Sequence, residues 1–374
     1  MQPPFPINSL ASLLRADPHR ENLARRRQTA LWQHQKPDAW PIVFNAPLTT
    51  DQENIPVPNF HDAFYNQELM LCSQFRAACA IVNARADGVP SIRVNFGTGV
   101  CLSCLGLEQE IFPDKMPWLR QHLTRDQIAR LTPDDIKNQG TFSRGLEFMR
   151  CFRQIMGDSL PIYCMDTQGP FDLAHLIMGD DLFYELHEDP AFVHHLMEIA
   201  LALGIKTHTW MKEIIGEPLA AHHHTGILYA ENMGIRICED TTTLLSPKDI
   251  REFAIPCTQR LAQHFGGAWV HYCGRNDHLT RAICELPEIR AINFGHIPGH
   301  EHDHPFEQDM ALIHESGKVY FGRWPRRPDE SGRDYLRRLH SWAAKGSLFP
   351  SGNEAVGPHD FPDVFTARDF WYSL

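Results

Sequence analysis

The chain has 374 residues, of which 43% are hydrophobic and 22% are charged, and these proportions exclude a disordered, collagenous or coiled-coil protein. Its 35 Lys and Arg against 46 Asp and Glu give a net charge of −11 with neutral His, which argues against nucleic acid and anionic membranes as partners. The sequence contains neither an apolar run of about 18 residues nor a signal-peptide pattern at Met1–Leu14, so we expect a cytoplasmic protein whose ten Cys are free thiols.

The first 40 residues predict a helical extension, and from residue 41 onward short apolar strands alternate with helices. The extension contains a helix over Arg20–His34 and ends at Pro37. The eight predicted strands are Pro41–Asn45, Ser91–Asn95, Pro161–Met165, Gly234–Cys238, Ala268–Tyr272, Ala291–Phe294, Val319–Gly322 and Ser347–Pro350. The predicted helices that separate them are Gln67–Arg85, Arg144–Met156, Pro190–Ile215, Pro247–Phe265, His278–Cys284, Pro305–Glu315 and Arg333–Lys345. Asp189-Pro190 and Ser246-Pro247 each place an N-cap residue before a Pro, which predicts a helix start.

This alternation predicts a parallel sheet, and eight strands are the number that closes a (β/α)8 TIM barrel. We therefore expect an α/β fold with one barrel domain over residues 41–374, preceded by the helical extension over residues 1–40. The alternative is a doubly wound open sheet, but no glycine-rich nucleotide motif follows any predicted strand. The segment Phe96–Ser143 is interpreted as a turn-rich insertion over the mouth of the barrel.

Polar and titratable side chains stand at the carboxyl ends of the predicted strands, where the active site of such a barrel lies. Each of them is alternatively an ordinary polar residue at the start of a loop. Three acids are the candidate catalytic residues, namely Asp166, Glu239 and Asp240. The candidate substrate-binding residues are Asn45, Asn95, Gln168 and Arg323, together with His224 from the segment His222-His223-His224.

His271 and Cys273 are the best candidate metal ligands. Residues i and i+2 of a strand face the same side, so this His and this Cys reach into one pocket as a zinc-type ligand pair. The alternative is a buried core pair without a metal. His296 is the best placed of the four His between positions 296 and 304, and the segment from His300 to His304 is interpreted as a solvent-exposed loop.

The chain resembles the uroporphyrinogen decarboxylase superfamily from about Pro41 to Gly357. The resemblance rests on the order and spacing of several short motifs rather than on any one of them. The motifs are Asn95-Phe96-Gly97-Thr98-Gly99, Gly169-Pro170-Phe171-Asp172-Leu173-Ala174 with Gly179, Glu188-Asp189-Pro190, Glu239-Asp240 with Leu245-Ser246-Pro247, His271-Tyr272-Cys273-Gly274 and Pro350-Ser351-Gly352. The resemblance implies a (β/α)8 barrel.

Within this superfamily the sequence is more similar to the cobalamin-dependent methyltransferase branch than to true uroporphyrinogen decarboxylases. It lacks the N-terminal Arg-Gln-Ala-Gly-Arg loop that holds the substrate carboxylates in those decarboxylases. In the methyltransferase branch a His-x-Cys pair and a Cys near the last strand bind zinc, so the resemblance implies that His271 and Cys273 are zinc ligands. Gly352-Asn353-Glu354 stands where the third Cys would follow, and the third ligand is Glu354, His296 or absent.

The resemblance implies zinc-dependent methyl transfer that involves a corrinoid methyl carrier, expected on a partner protein, and a small acceptor. The first alternative is a metal-independent decarboxylase of a small aromatic or heteroaromatic acid, in which Asp166, Asp240 or a His stabilises charge on the ring. The second alternative is a non-catalytic subunit that binds a corrinoid protein.

Overall fold

The computed structural model describes residues 6–296, 299–300, 304–358 and 360–374. Turns and short 3-10 helices join the strands and helices found there. The strands are β1 (Ile92–Arg93), β2 (Gln109–Glu110), β3 (Trp118–Leu119), β4 (Ile162–Tyr163), β5 (His222–His224), β6 (Leu228–Ala230), β7 (Ile235–Cys238), β8 (Ala268–Cys273), β9 (Ile289–Gly295), β10 (Val319–Gly322) and β11 (Leu348–Pro350). The α-helices are α1 (Leu10–Leu13), α2 (Pro18–Trp32), α3 (Thr50–Glu53), α4 (Phe60–Tyr65), α5 (Gln67–Ala84), α6 (Arg125–Ile128), α7 (Gly140–Met156), α8 (Pro170–Met178), α9 (Asp181–Glu188), α10 (Pro190–Ile215), α11 (Pro247–Asp249), α12 (Ile255–His264), α13 (Asp277–Cys284), α14 (Phe306–Glu315), α15 (Gly332–Ala343) and α16 (Val364–Ser373).

Parallel pairing arranges the strands in a ring. β7, β8, β9, β10 and β11 form a continuous five-stranded parallel sheet, and β1 pairs with β4. The chain beyond β4 runs alongside β7, where Gly169 N donates to Cys238 O over 2.6 Å. At the other edge, Val43 pairs with Ser351 just beyond β11. These contacts place the eight predicted strand segments in ring order, and the predicted (β/α)8 barrel is confirmed.

Apolar side chains of the barrel strands divide into an outer and an inner cluster. Successive residues of a strand face opposite sides, so Val270 and Tyr272 of β8 pack outward under the helices while Trp269 lies inside. Phe321 and Phe349 join Trp269 in the inner cluster. The interior of the barrel is therefore packed with bulky side chains in its lower half.

The amino-terminal end of the barrel is closed by α2 and by the antiparallel hairpin of β5 and β6. Leu31 and Trp32 of α2 and Leu228 of the hairpin belong to the inner cluster. Gln28 of α2 is fully buried and donates from Nε2 to Ile227 O over 2.8 Å. The helical extension thus covers the amino-terminal end of the barrel and does not cover the carboxyl ends of the strands.

Helix starts follow the capping signals in the sequence. The Asp189 side chain accepts from Phe192 N over 3.1 Å, and Ser246 Oγ accepts from Asp249 N over 3.2 Å. A Pro follows each cap, at a position where a backbone N–H would have no partner within the helix, so its absence costs no hydrogen bond. Both predicted starts are confirmed, and α10 has the predicted bounds.

The strand and helix patterns do not predict the hairpin of β5 and β6, because strands of three residues are too short to show a period. The segment Phe96–Ser143 contains more structure than a turn-rich insertion, including the 3-10 helix Val100–Leu105 and the hairpin of β2 and β3. None of the described helices combines the length and the apolar character that crossing a membrane requires.

Candidate functional site

Strand register brings His271 between two polar neighbours inside the barrel. His271 on β8 lies opposite Cys238 on β7 and opposite Asn293 on β9. Trp269, two residues before His271, belongs to the inner cluster, so His271 and Cys273 face the same interior. The prediction that this His and Cys share one side of the strand agrees with the register.

Asn293 fixes the protonation of the His271 ring. Asn293 Nδ2 donates to Phe321 O over 2.7 Å, which turns the amide oxygen toward His271. That oxygen lies 2.6 Å from His271 Nδ1, and since an amide oxygen only accepts, Nδ1 carries the hydrogen and Nε2 keeps its lone pair. Burial, reinforced by the nearby Arg236 charge, lowers the pKa of His271, so the ring is neutral at neutral pH.

Four side chains with metal-binding atoms converge at the ends of β7 and β8. One potential ligand atom from each of Cys238, Asp240 and His271 lies within 4.8 Å of the others. His271 Nε2 also lies 3.6 Å from Cys273 Sγ and 3.9 Å from Asp240 Oδ1. Nitrogen, sulfur and oxygen ligands of tetrahedral zinc stand roughly 3.3–3.6 Å apart, given bonds of about 2.0–2.3 Å. The donor types therefore fit a zinc ion, and the separation of His271 Nε2 from Cys273 Sγ has this spacing, while Asp240 Oδ1 lies slightly farther from His271 Nε2.

The two thiols are protonated in the absence of a cation. Burial and the Asp240 carboxylate raise the pKa of Cys273 to about 11. Burial raises the pKa of Cys238 well above its ordinary value. A divalent cation reverses this balance, because its charge stabilises the thiolate.

Gly295 leaves the room that this cluster needs. A Cβ at position 295 would overlap Cys273 Sγ and would stand 3.2 Å from His271 Cε1. Gly295 pairs with Cys273 across β8 and β9, so the close approach is fixed by strand register. Any larger residue at this position would displace one of the candidate ligands.

Asp172 holds the loop that carries Asp240. This buried side chain, in the first turn of α8, accepts from Asp240 N over 2.9 Å and from Thr241 N over 2.8 Å. Asp240 Oδ1 in turn accepts from Cys273 N over 2.6 Å. Burial, with the neighbouring Glu239 and Asp240, raises the pKa of Asp172 well above its ordinary value. The sequence places Asp172 in one of the quoted motifs but does not indicate this role.

Asp166 lies below the cluster between two guanidinium groups. Its carboxylate oxygens lie 2.5 Å from Arg236 Nη1 and 3.4 Å from Arg93 Nη2. Burial acts to raise the pKa of Asp166, but Arg236 and Arg93 outweigh it and lower the pKa below its ordinary value. Asp166 and His271 line one cavity of about 230 Å³, as the strand-end argument predicts.

His224 lines the same cavity. It is 2% exposed, and neither ring nitrogen has a hydrogen-bond partner among the described residues. The ring stacks on His222 with centroids 4.8 Å apart and meets Trp269 edge-on. Burial lowers the pKa of His224 well below its ordinary value, so the ring is neutral.

Glu239 faces away from the cluster. It follows the inward-facing Cys238 in the strand, so it points outward, where its oxygens accept from Thr242 Oγ1 and Thr258 Oγ1 over 2.6 Å each. Burial raises the pKa of Glu239 to about 7. The structure therefore places Glu239 beneath α12, apart from Asp240 and Asp166.

Predicted substrate-binding residues on the first two strand segments lie in local contacts. Asn45 is exposed, and its backbone exchanges hydrogen bonds of 3.0 and 3.1 Å with the Asn353 amide. Asn95 Oδ1 accepts from Gly97 N over 3.4 Å. Gln168 is buried, and its Nε2 has no partner in the part of the chain that the structure describes.

Glu354 and Arg323 are bound to each other. Arg323 Nε contacts Glu354 Oε1, and Arg326 N donates to Glu354 Oε2 over 2.6 Å. Nε2 of His296 lies 3.4 Å from the Tyr320 hydroxyl, and burial lowers the pKa of His296 to about 4. As a third ligand beside His271, Glu354 would have to leave these contacts, whereas Nδ1 of His296 has no hydrogen-bond partner among the described residues.

The predicted exposed loop is wrong at His304. This residue is buried, with its ring nitrogens 3.1 Å from Asp309 Oδ2 and 2.8 Å from Gly274 O. Its ring stacks on Phe294, so His304 is packed against the barrel although the segment around it is polar. His302 lies outside the described residues.

Comparison with known proteins gives a family and a fold. A search of curated proteins found no match. The solved structure of a methyltransferase from Methanosarcina mazei is similar, with 17% sequence identity and a TM-score of 0.65, over 93% of this chain and 99% of that chain. At this identity the likeness is one of fold. The family model for uroporphyrinogen decarboxylase (URO-D) matches residues 24–210, which is half of the chain. The chain therefore belongs to the uroporphyrinogen decarboxylase (URO-D) family.

Proposed function

We propose that this protein is a zinc-dependent methyltransferase that moves a methyl group between a corrinoid methyl carrier and a small acceptor. The observation that carries the proposal is the unprotonated Nε2 of His271, which lies 3.6 Å from Cys273 Sγ, within hydrogen-bond distance of that thiol, and 3.9 Å from Asp240 Oδ1. The methyltransferase from Methanosarcina mazei, which is similar in fold, adds support.

Asp240 is the third zinc ligand in this proposal. It is already oriented by three hydrogen bonds, since Asp172 accepts from the backbone of Asp240 and Thr241, and Asp240 Oδ1 accepts from Cys273 N. Cys238 lies within reach as a further thiol. In this proposal, the three acids of the sequence-based hypothesis have different places, with Asp240 as a ligand, Asp166 in the cavity and Glu239 outside the site.

The protein side chains supply orientation and charge. Bound zinc would lower the pKa of an acceptor group in its open position and so make that group a better nucleophile. Asn293 keeps His271 Nε2 unprotonated, as a metal ligand must be, and Gly295 leaves space for the Cys273 sulfur. A carboxylate in place of a third thiolate makes the site harder, which shifts its preference from thiols toward oxygen-containing acceptors.

The proposal is tested by metal content and by a corrinoid assay. Protein purified without chelator should hold about one zinc per chain, and Asp240→Ala should lose it while His296→Ala and Glu354→Ala should retain it. Zinc-loaded protein with free methylcobalamin and a small acceptor should change the corrinoid absorbance, and chelated protein should not. A wild-type chain that binds no zinc at neutral pH would overturn the proposal.

The decarboxylase alternative stays a prediction. It needs a proton donor at the substrate ring, and Asp166 is held as a carboxylate by Arg236 and Arg93, which suits charge stabilisation rather than proton donation. Release of CO₂ by metal-free protein from a small aromatic acid is the measurement that would favour it. If the protein neither binds zinc nor turns over a substrate, the remaining hypothesis is the non-catalytic subunit that binds a corrinoid protein.

A further inference from the structure

The cavity of about 230 Å³ below the candidate zinc ligands carries an excess positive charge. Two guanidinium groups, Arg93 and Arg236, line it together with one carboxylate, Asp166. Arg236 is committed to Asp166 at 2.5 Å and also donates to Thr167 O over 3.2 Å. Two guanidinium groups therefore face one carboxylate, and one positive charge is left without a matching carboxylate among the residues that line the cavity.

Arg93 is the cation that remains available. Its ion pair with Asp166 is long, at 3.4 Å, and the side chain is 20% exposed. A guanidinium group has five N–H donors in a fixed plane, which suits two-point binding of a carboxylate. In the described part of the chain, this single contact engages only one edge of Arg93.

Tyr163 stands beside Arg93 with a free hydroxyl. The two residues are register partners on the parallel strands β1 and β4, so their side chains project side by side into the cavity. The Tyr163 side chain is buried, and no described residue forms a hydrogen bond with its hydroxyl. Arg93 and Tyr163 together form a donor pair aimed at one anion, here called the Arg93–Tyr163 pair.

We propose that the Arg93–Tyr163 pair binds the carboxylate of a small monocarboxylic acid, whose opposite end then faces His271. The inference rests on the proposed function, for which it names the class of the small substrate. A carboxylate carries the one negative charge that the cavity lacks, whereas a phosphate dianion would leave an excess. The cavity is below the range of about 300–1,000 Å³ that drug-sized ligands occupy, so the acid is small.

The strand order sets the orientation. β7 lies between β4, which carries Tyr163, and β8, which carries His271, so the Arg93–Tyr163 pair and His271 stand on different sides of the cavity. His224, with its unpartnered ring nitrogens, and Trp269 line the space between them. The acid therefore keeps its carboxylate during the reaction and presents its far end to the zinc ligands, unlike the substrate of a decarboxylase.

Calorimetric titration of the full chain with benzoate, propionate and benzamide tests this inference. Benzoate and propionate should bind at least tenfold more tightly than benzamide, which has the shape of benzoate without its charge. Arg93→Gln should weaken benzoate binding at least tenfold, as loss of a charged hydrogen bond does. Tyr163→Phe should weaken it about threefold to tenfold. Arg260→Gln, which removes a cation on the outer face of α12, is the matched control and should bind benzoate like the wild type.

The outcomes separate this inference from the proposed function. Equal binding of benzoate and benzamide by the unmodified chain would overturn the inference without relying on any variant. Equal benzoate binding by wild type and Arg93→Gln, or no binding of either acid, would also overturn it. Zinc is measured on the same samples, so a chain that binds benzoate through Arg93 but holds no zinc contradicts the methyltransferase proposal alone.

Discussion

Two pairs of strand ends in this barrel each present a carboxylate, and the two carboxylates have different partners. At β7 and β8, Asp240, His271 and Cys273 face one another, and the unprotonated Nε2 of His271 lies 3.6 Å from the Cys273 sulfur. At β10 and β11, Glu354 is held by Arg323 and by Arg326 N. Both carboxylates stand just past the end of a strand, so it is their partners that differ.

The difference teaches that a ligand-type residue is available to a metal only when its neighbours leave its lone pairs free. Around His271, the neighbours bind the atoms that a metal does not need, since Asn293 takes Nδ1 and Asp172 takes the loop backbone. Around Glu354, the neighbours bind both carboxylate oxygens, whereas the hydrogen bond from Cys273 N to Asp240 engages Oδ1 alone. We call the first region the β7–β8 end and the second the β10–β11 end.

Removal of His271 is the change with the largest expected effect. His271→Ala deletes the ligand on which the others converge, so zinc affinity should fall by well over a hundredfold, and zinc content should drop from about one per chain to near zero. Metal analysis after dialysis is the measurement. His296→Ala is the matched control at the next strand end, and equal zinc loss in both variants would break the contrast between the two ends.

Glu239 is next to Asp240 in the sequence but lies outside the candidate site, because its side chain faces outward. Burial raises its pKa from the ordinary 4.5 to about 7, so the folded chain binds this proton more tightly than the unfolded chain. The stabilisation is complete below about pH 4.5 and is lost as the pH rises to about 7, at a cost of about 2–3 kcal/mol. Urea unfolding at pH 5 and pH 8 should show this fall in the free energy of unfolding of the wild type. In Glu239→Gln, the part of the fall that is due to Glu239 should be absent.

Asn293 provides a finer test of the β7–β8 end. Asn293→Ala leaves every candidate ligand in place but removes the acceptor that holds the His271 tautomer and ring. Loss of such an outer partner typically weakens metal binding 10–100-fold, and we expect a zinc dissociation constant higher by about that factor. Competition with a chromophoric chelator gives the constant. An unchanged value would mean that the ring is held by other contacts.

The smallest effect is expected at the β10–β11 end. Arg323→Gln breaks an ion pair whose guanidinium is 54% exposed, so the free energy of unfolding should change by less than about 1 kcal/mol. Zinc content should stay at the wild-type level. A variant that folds normally but loses its zinc would show that this end contributes to the metal site.

The barrel could be predicted from the sequence because its signals are local. α10 is a 26-residue helix with a cap and a Pro at its start, and β8 is a run of apolar residues that ends in His and Cys. The ring order of the eight strands follows from such elements together with the general rules for parallel sheets. The hairpin of β5 and β6 has no comparable signal.

The candidate site could be predicted only in part. His271, Cys273 and Asp240 stand at the carboxyl ends of strands, which is where the active site of a (β/α)8 barrel lies. Asp172 could not be found in this way, because it acts through backbone groups 68 and 69 residues further along the chain. Asn293 lies inside a predicted strand, and its role depends on register with β8. Contacts of this kind arise only once the strands are paired.

In the proposed reaction, the plug of α2 and the β5–β6 hairpin at the base of the barrel would govern the order in which the two reactants arrive. A small acid that occupies the cavity has left bulk water through the carboxyl end, because Trp32, Leu228 and their neighbours fill the other end. A second reactant as large as a protein-borne carrier would cover that same opening. The small molecule must then bind first and leave last, so steady-state kinetics should show a compulsory order. Excess carrier should inhibit, because carrier bound to the protein without the small molecule would block access to the cavity.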